Sequence, residues 1–249
     1  MSAQIVLITG ALTGIGRATA EAFARNGAKV VISGRNEEAG AALASELRAT
    51  GAEIEFIRAD VREEDDIRAL VDRTVARFGR LDVAVNNAGT EGTPGPLLDQ
   101  TAESYAGTFD TNVLGVLLSM KHEVRVMQAQ GAGSIVNISS TFGQKGAAYA
   151  TLYAGSKHAV EGMTKSVALE VAASGIRVNA VAPGPVETGM LNRFVGHDEE
   201  AKAGLVGRVP MKRQGQPREI ADAVLFVASP QASFITGEIL AVNGGLAAA

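Results

Sequence analysis

Short runs of β-branched residues alternate with stretches of helical periodicity along almost the whole chain, and this alternation constrains the fold more than any other feature. Ile5–Thr9, Lys29–Ser33, Glu53–Ala59, Leu81–Asn86, Ser134–Ser139, Arg177–Ala182 and Ile239–Asn243 read as strands. Several are apolar throughout, the pattern of strands covered on both faces. Between them, Ile67, Leu70, Val71, Val75 and Phe78 recur at helical spacing, as do Phe109, Val113, Val116, Leu117, Met120, Val124 and Met127. Strict alternation of this kind predicts an α/β fold, a doubly wound parallel sheet of seven strands with helices on both faces. No repeat, low-complexity tract or Pro-rich linker divides the 249 residues, so 1–249 is read as a single domain. The stretch from about Pro183 to Pro217 is too long for an ordinary connection, and its segment 186–213 is expected to act as a substrate lid.

Composition removes several function classes. The net charge is −4 and no block of Lys or Arg stands out, so nucleic acid is not an expected partner. No apolar run approaches the roughly 18 residues of a membrane span. The first apolar run, Ile5–Ile8, passes straight into a Gly-rich loop without a signal-peptide pattern, which makes the cytoplasm the expected location. With no Cys there is no disulfide, zinc thiolate or thiol catalysis. His122, His158 and His197 are scattered, with no ligand spacing, and read as surface or packing residues. The acidic run Glu63-Glu64-Asp65-Asp66 suits a helix start, where it complements the dipole, and no metal is assigned to it.

The first strand ends in Thr9-Gly10-Ala11-Leu12-Thr13-Gly14-Ile15-Gly16, followed by a helix. Glycines at 10, 14 and 16 let the backbone turn sharply and approach a pyrophosphate, and the helix start supplies free N–H groups and positive dipole. A tight structural turn would use the same residues, but the place between first strand and first helix favours the phosphate loop. The second strand ends at Ser33-Gly34-Arg35. An acidic residue here would hold an adenosine ribose 2′-hydroxyl, whereas an Arg accommodates a 2′-phosphate. Gly34 carries no carboxylate and Arg35 follows it, so NADP(H) is favoured over NAD(H).

Tyr153 and Lys157 stand four residues apart in a helix-forming stretch, Ala150–Ala173, and so share one helix face. A Tyr hydroxyl titrates near 10, and a neighbouring ammonium is expected to lower that value and suit it to proton transfer. Ser140 lies upstream, where the strand Ser134–Ser139 ends, on the edge where open α/β sheets bind ligands. A hydroxyl there can hold a substrate oxygen as charge develops on it.

Taken together these motifs resemble the short-chain dehydrogenase/reductases of about 250 residues, over essentially the whole chain. The resemblance takes in the glycine loop, Asp60-Val61, Asn86-Asn87-Ala88-Gly89, Asn112, Ser140, Tyr153, Lys157 and Pro183-Gly184-Pro185-Val186-Glu187-Thr188. Phe234-Ile235-Thr236-Gly237 and Asn243-Gly244-Gly245 also fit, although the family more often has Asp where Asn243 stands. It implies an NAD(P)(H)-dependent oxidoreductase moving hydride between the cofactor and a carbonyl or secondary alcohol substrate. Asn112, Ser140, Tyr153 and Lys157 would be catalytic, with Asn112 helping to hold a proton-relaying water. Gly10, Thr13, Gly14, Ile15, Gly16, Arg35, Asp60, Val61, Asn87, Ala88, Gly89, Tyr153, Lys157, Pro183, Gly184, Val186 and Thr188 would bind the cofactor. A homotetramer is the family's common assembly. From the residues alone, Asp60 could instead cap a helix, Asn86–Gly89 could be a plain turn, and Asn112 could satisfy local backbone.

Two other functions fit the fold. A nucleotide-binding regulator would have no need of Ser140, Tyr153 and Lys157 together. A halohydrin dehalogenase resembles this fold, but it replaces the glycine loop with a halide pocket and carries Arg where Lys157 stands. For the substrate, Glu91, Gln144, Tyr149, Met190 and Phe194 are the expected walls, joined by Ala147, Leu191, Val195 and Met211. They lean apolar without selecting among 3-oxoacyl, ketone, sugar and cyclic alcohol substrates.

Overall fold

The computed structural model describes residues 3–248; residues 1, 2 and 249, the ends of the span read as one domain, lie outside the described residues. Seven parallel strands form one sheet in the order β3-β2-β1-β4-β5-β6-β7. They are β1 (Ile5–Thr9), β2 (Lys29–Gly34), β3 (Ile54–Arg58), β4 (Val83–Asn86), β5 (Gly133–Ile138), β6 (Ile176–Pro183) and β7 (Ile239–Val242). Each expected strand is present, with ends moved by up to two residues. The helices are α1 (Gly14–Arg25), α2 (Glu37–Arg48), α3 (Glu64–Phe78), α4 (Ala102–Phe109), α5 (Gly115–Gln130), α6 (Thr151–Val171), α7 (Gly189–Phe194), α8 (Glu199–Gly207) and α9 (Pro217–Ala228).

The period of two along each strand divides the core into two layers. Val6, Ile8, Val30, Ile32, Val83 and Val85 pack on one face with Phe23 of α1, Leu43 of α2 and Val224 of α9. Leu7, Val31, Ala84 and Ile135 pack on the other with Ile67 and Leu70 of α3, Met120 of α5 and Val160 of α6. Both faces of the sheet are therefore covered, which is why the strands read as near-continuous apolar runs. The strand order reverses between β1 and β4, and the carboxyl ends of these strands open the crevice where such sheets bind ligands.

The stretch expected to be irregular contains α7 and α8. Each has a local start signal: Thr188 accepts from the Leu191 N–H, and Asp198 accepts from the N–H groups of Glu200 and Ala201. Between α4 and α5 the chain makes one wide π-helical turn over Asp110–Leu114, which carries Asn112 into the interior. The acidic run also sits as expected, with Glu63 at the N-cap and Glu64, Asp65 and Asp66 in the first turn of α3.

Candidate active site

A cavity of about 660 Å³ runs along the carboxyl ends of the strands, from Gly34 and Arg35 at one end to Ser140, Tyr153 and Phe194 at the other. Its floor is built from glycines. Gly10 has a φ of 62°, and a side chain there would meet Ala88 Cα at 2.6 Å, so the loop after β1 and the loop after β4 lie backbone against backbone. The Asn87 amide joins them by donating to the carbonyls of Thr9 and Gly10 at 3.1 and 2.8 Å. Asn86–Gly89 is therefore more than a turn: Asn86 itself reaches inward and donates to Glu123 and Asn137.

The N-terminus of α1 faces this floor. The first N–H bonding back to the cap is that of Arg17, which donates to the Thr13 carbonyl at 3.2 Å, so the groups ahead of it have no partner within the helix. No acidic residue stands in the first turn of α1, whereas α2, α3 and α8 each have acidic residues there. The start of α1 thus keeps its positive dipole end open to an outside anion. The residues present fit the diphosphate of a dinucleotide.

At the adenosine end, a side chain on Gly34 would meet Leu12 Cδ1 at 2.8 Å. A side chain here would press on Leu12, and with Gly34 the strand end carries no carboxylate. Arg35 is exposed, lines the cavity, and makes no ion pair among the described residues. Asp60 does not cap α3, since Glu63 holds the N-cap position; its carboxylate instead grips Arg62, from Nε at 3.0 Å and Nη2 at 2.5 Å. This hydrogen bonding holds the Asp60 carboxyl below its ordinary value.

At the other end, Phe142, Tyr153 and Phe194 form a triangle of rings, with centroids 6.4, 6.0 and 6.1 Å apart. Ser140 follows β5 and accepts from the Phe142 N–H at 3.2 Å, and its hydroxyl lies beside the Tyr153 phenol. Lys157 is buried, with Nζ 5.7 Å from the Tyr153 ring centroid and donating to the Ile138 carbonyl at 2.8 Å. Burial draws its pKa down to about 8. Here the structure corrects an expectation. The Tyr153 phenol is held above its ordinary value, chiefly by burial; the Ser140 hydroxyl acts the other way and the Glu91 charge adds to the rise. The Lys157 ammonium, for its part, is bonded to the Ile138 carbonyl.

Asn112 is fully buried. Its Nδ2 donates to the Thr90 carbonyl at 2.9 Å and to Ser156 Oγ at 3.0 Å, and its Oδ1 accepts from the Thr90 N–H at 2.8 Å. Its backbone partner is not local but Thr90, 22 residues away in sequence, so it ties the loop after β4 to the π-helical turn beside Lys157. Val61, Gly89, Pro183, Gly184, Val186 and Thr188 line the same cavity, as do Glu91, Met190, Leu191 and Phe194.

Five expected substrate-wall residues, Gln144, Ala147, Tyr149, Val195 and Met211, are not among those lining this cavity. Tyr149 is an exposed residue with a φ of 64°, and its carbonyl accepts from the Gly95 N–H. Gln144, which follows the short helical turn Thr141–Gly143, lines a second cavity with Met211 and residues 241–245. Conversely, Phe142, Arg193 and Leu205 line the main cavity without having been singled out. Phe142 could have been found from its place two residues beyond Ser140. Nothing local marks Arg193, whose partner Glu91 is distant in sequence. The scattered histidines bear no metal cluster among the described residues, and His122 is a buried packing residue whose Nε2 lies 3.3 Å from Glu64.

A dinucleotide-shaped cavity that ends in a Ser–Tyr–Lys cluster defines an oxidoreductase using a nicotinamide cofactor. Residues 10–247 match the family model described as Enoyl-(Acyl carrier protein) reductase. The chain is 47% identical to the A-factor type gamma-butyrolactone 1′-reductase (1S-forming) of Streptomyces virginiae, over 97% of this chain and 95% of that one. It is 42% identical to the cis-4-hydroxycyclohexanecarboxylate dehydrogenase of Sinomonas cyclohexanicum, over 98% and 97%. Among solved structures, a single-residue variant of actinorhodin polyketide ketoreductase with NADPH superimposes with a TM-score of 0.94 at 38% identity, over 98% and 97% of the two chains. The chain belongs to the short-chain dehydrogenase/reductase family, and its reaction is hydride transfer between a nicotinamide cofactor and a carbonyl or alcohol group. No described helix is long and apolar enough to cross a membrane.

Proposed function

We propose that this enzyme interconverts a compact, largely apolar ketone and its secondary alcohol, with NADP(H) as cofactor and Tyr153 as the proton-transferring residue. The observation that carries the substrate reading is the ring triangle of Phe142, Tyr153 and Phe194, lined further by Leu191 and Leu205, around the Ser140 hydroxyl. Such a chamber rewards burial of an apolar body and offers few hydrogen bonds to a polyol. The cyclic substrates named for the Sinomonas and Streptomyces relatives accord with it.

When bound, the nicotinamide supplies or accepts the hydride at the substrate carbon. Ser140 and Tyr153 hold the substrate oxygen, and Tyr153 gives its phenolic proton to that oxygen in reduction. Lys157 stands between Tyr153 and the Ile138 carbonyl, where it can hold ribose hydroxyls and pass protons onward. Asn112 keeps the Thr90 backbone in place beside that route. Gly10 and Thr13–Gly16 would cradle the diphosphate, and Asp60 and Val61 would meet the adenine. Asn87, Ala88 and Gly89 would line the ribose and nicotinamide, and Pro183, Gly184, Val186 and Thr188 would hold the carboxamide. The segment 186–213, with α7 and α8, would serve as the lid.

The test is nicotinamide absorbance with a panel of cyclic ketones, 3-oxoacyl thioesters and sugars. Cyclic ketones are expected to give the highest kcat/KM, and a sugar as the best substrate would overturn the apolar reading. Arg35, beside Gly34 and in no ion pair among the described residues, supports a 2′-phosphate. Replacing Arg35 by Ser is expected to weaken NADPH binding by roughly tenfold and NADH binding by less than about twofold, the loss of one charge-assisted contact. Equal losses for the two, measured by fluorescence titration, would exclude this role.

For the assembly we propose a homotetramer. Exposed apolar side chains support it: Leu117 on α5 and Tyr105 on α4, and Leu169, Phe226 and Phe234 near the C-terminal strand. Light scattering is expected to give four times the chain mass, and a monomer mass would refute the assignment.

A further inference from the structure

One ion pair spans the mouth of the cavity at its reacting end, and the steps described above make no use of it. Arg193 Nε donates to Glu91 Oε1 at 2.5 Å and Arg193 Nη2 to Glu91 Oε2 at 3.1 Å, a two-point grip. The two partners differ in setting: the Glu91 side chain is 9% exposed and that of Arg193 57%. Glu91 is therefore a nearly buried carboxylate whose charge is balanced by an arm reaching in from outside.

Both partners are mounted on parts that bear on the reaction. Glu91 follows Thr90, whose N–H and carbonyl are both held by Asn112, and precedes Gly92, whose N–H donates to Thr90 Oγ1 at 3.2 Å. Arg193 lies on α7. At one end of α7, Thr188 sits against Gly14, whose Cβ position is 3.2 Å from Thr188 Cγ2. At the other, Phe194 stands 6.1 Å from the Tyr153 ring. The ion pair fastens that second end. Three charged groups line this end of the cavity with Tyr153: Glu91 from the loop after β4, Arg193 from α7, and Lys157 from the Tyr153 helix, its ammonium 5.7 Å from the ring centroid and bonded to the Ile138 carbonyl. The loop after β5 contributes the uncharged Ser140, and Glu161, one turn beyond Lys157, is turned away onto Ser139. Glu91 is the one carboxylate in this set, and its charge opposes formation of the phenolate.

We propose that Arg193 is a positioning residue that works through Glu91: it draws the Glu91 charge aside and pins α7 over Tyr153, so that the pair as a unit governs proton loss from the phenol. This rests on the assignment of Tyr153 as the proton-transferring residue. A bare Glu91 is then worse than no charge at all, because a nearly buried carboxylate left without its partner acts on the phenol through a poorly screening medium.

The experiment is a double-mutant cycle on the full-length enzyme, following alcohol oxidation across pH with kcat and KM resolved. Arg193→Met alone is expected to lower kcat about tenfold at neutral pH and to move the alkaline-rising limb upward by about one pH unit. Adding Glu91→Gln is expected to recover most of that loss and to return the limb to its original place. Arg193→Lys keeps the charge and is expected to leave the limb unmoved while raising KM. Additive losses in the double variant, or a limb that stays put in Arg193→Met, would overturn the inference, since a mere brace would raise KM alike in every variant. Turnover surviving in Tyr153→Phe would remove the underlying assignment instead, and that variant is assayed separately.

Discussion

Replacing Tyr153 by Phe is expected to lower turnover in both directions by about 10³-fold while nicotinamide dinucleotide affinity stays within about threefold. The substitution removes one oxygen from the centre of the ring triangle and leaves the rings, the glycine floor and Lys157 in place. The loss should therefore fall on kcat, because proton delivery to the substrate oxygen is needed in the transition state and contributes little to ground-state binding. The pH dependence follows from the direction in which the phenol is shifted. Burial holds it above its ordinary value, so Tyr153 keeps its proton through the neutral range. Reduction needs that proton and should run well at neutral pH, whereas oxidation needs the phenolate and should climb as pH rises. Near-normal turnover in Tyr153→Phe, measured by stopped-flow absorbance with a saturating cofactor, would disprove the assignment.

Replacing Glu123 by Gln is expected to stabilise the protein strongly at neutral and alkaline pH and hardly at all near pH 4. Glu123 lies on α5 with 1% of its surface exposed, and its one hydrogen bond comes from Asn86 Nδ2 at 3.0 Å. Burial raises its carboxyl from 4.5 to about 8. Between those values the folded protein holds a proton that the unfolded chain has released, so stability is intact below pH 4.5 and falls as pH rises toward 8. At pH 7 the lost stability amounts to roughly 3 kcal/mol, which a Gln would not incur, equivalent to about 6–12 °C in Tm for a chain of this size. The neutral form also suits its surroundings. Asn86 Oδ1 is buried without a donor among the described residues, and a Gln amide brings one. Thermal unfolding of both proteins from pH 4 to 9 would show two curves diverging with pH, and parallel curves would refute the buried-acid reading.

Glu123 also shows where sequence reading stops. Its position, three residues after Met120 and four before Met127, lies on the interior face of α5, but a carboxylate there does not announce itself as core, and it is among the most buried side chains of the molecule. The cause lies in β4 and β5, whose Asn86 and Asn137 place polar groups in the layer facing α5. The stretch from Pro183 to Pro217 differs for a related reason. Its helices α7 and α8 had their caps in the sequence, Thr188 and Asp198, but a single turn or two of helix is too short for periodicity to outweigh the length of the stretch. Tyr149 and Gln144 were expected beside Ser140 because they are near it in sequence. Tyr149 instead takes the left-handed conformation and Gln144 follows a short helical turn, and neither lines that cavity.

The sequence by itself determined the sheet, the helices that cover it, the glycine floor and the cluster of Ser140, Tyr153 and Lys157. Each of these depends on local spacing: period two for strands, period 3.6 for helices, and backbone freedom at glycine. The tertiary structure alone decided the electrostatics of the cluster. Whether Lys157 faces the phenol or the Ile138 carbonyl, and whether Glu91 stands bare or balanced by Arg193, depends on groups brought together across the fold. The strength of a charge depends on its burial and on its distance from other charges, and neither quantity is carried by any stretch of chain in isolation.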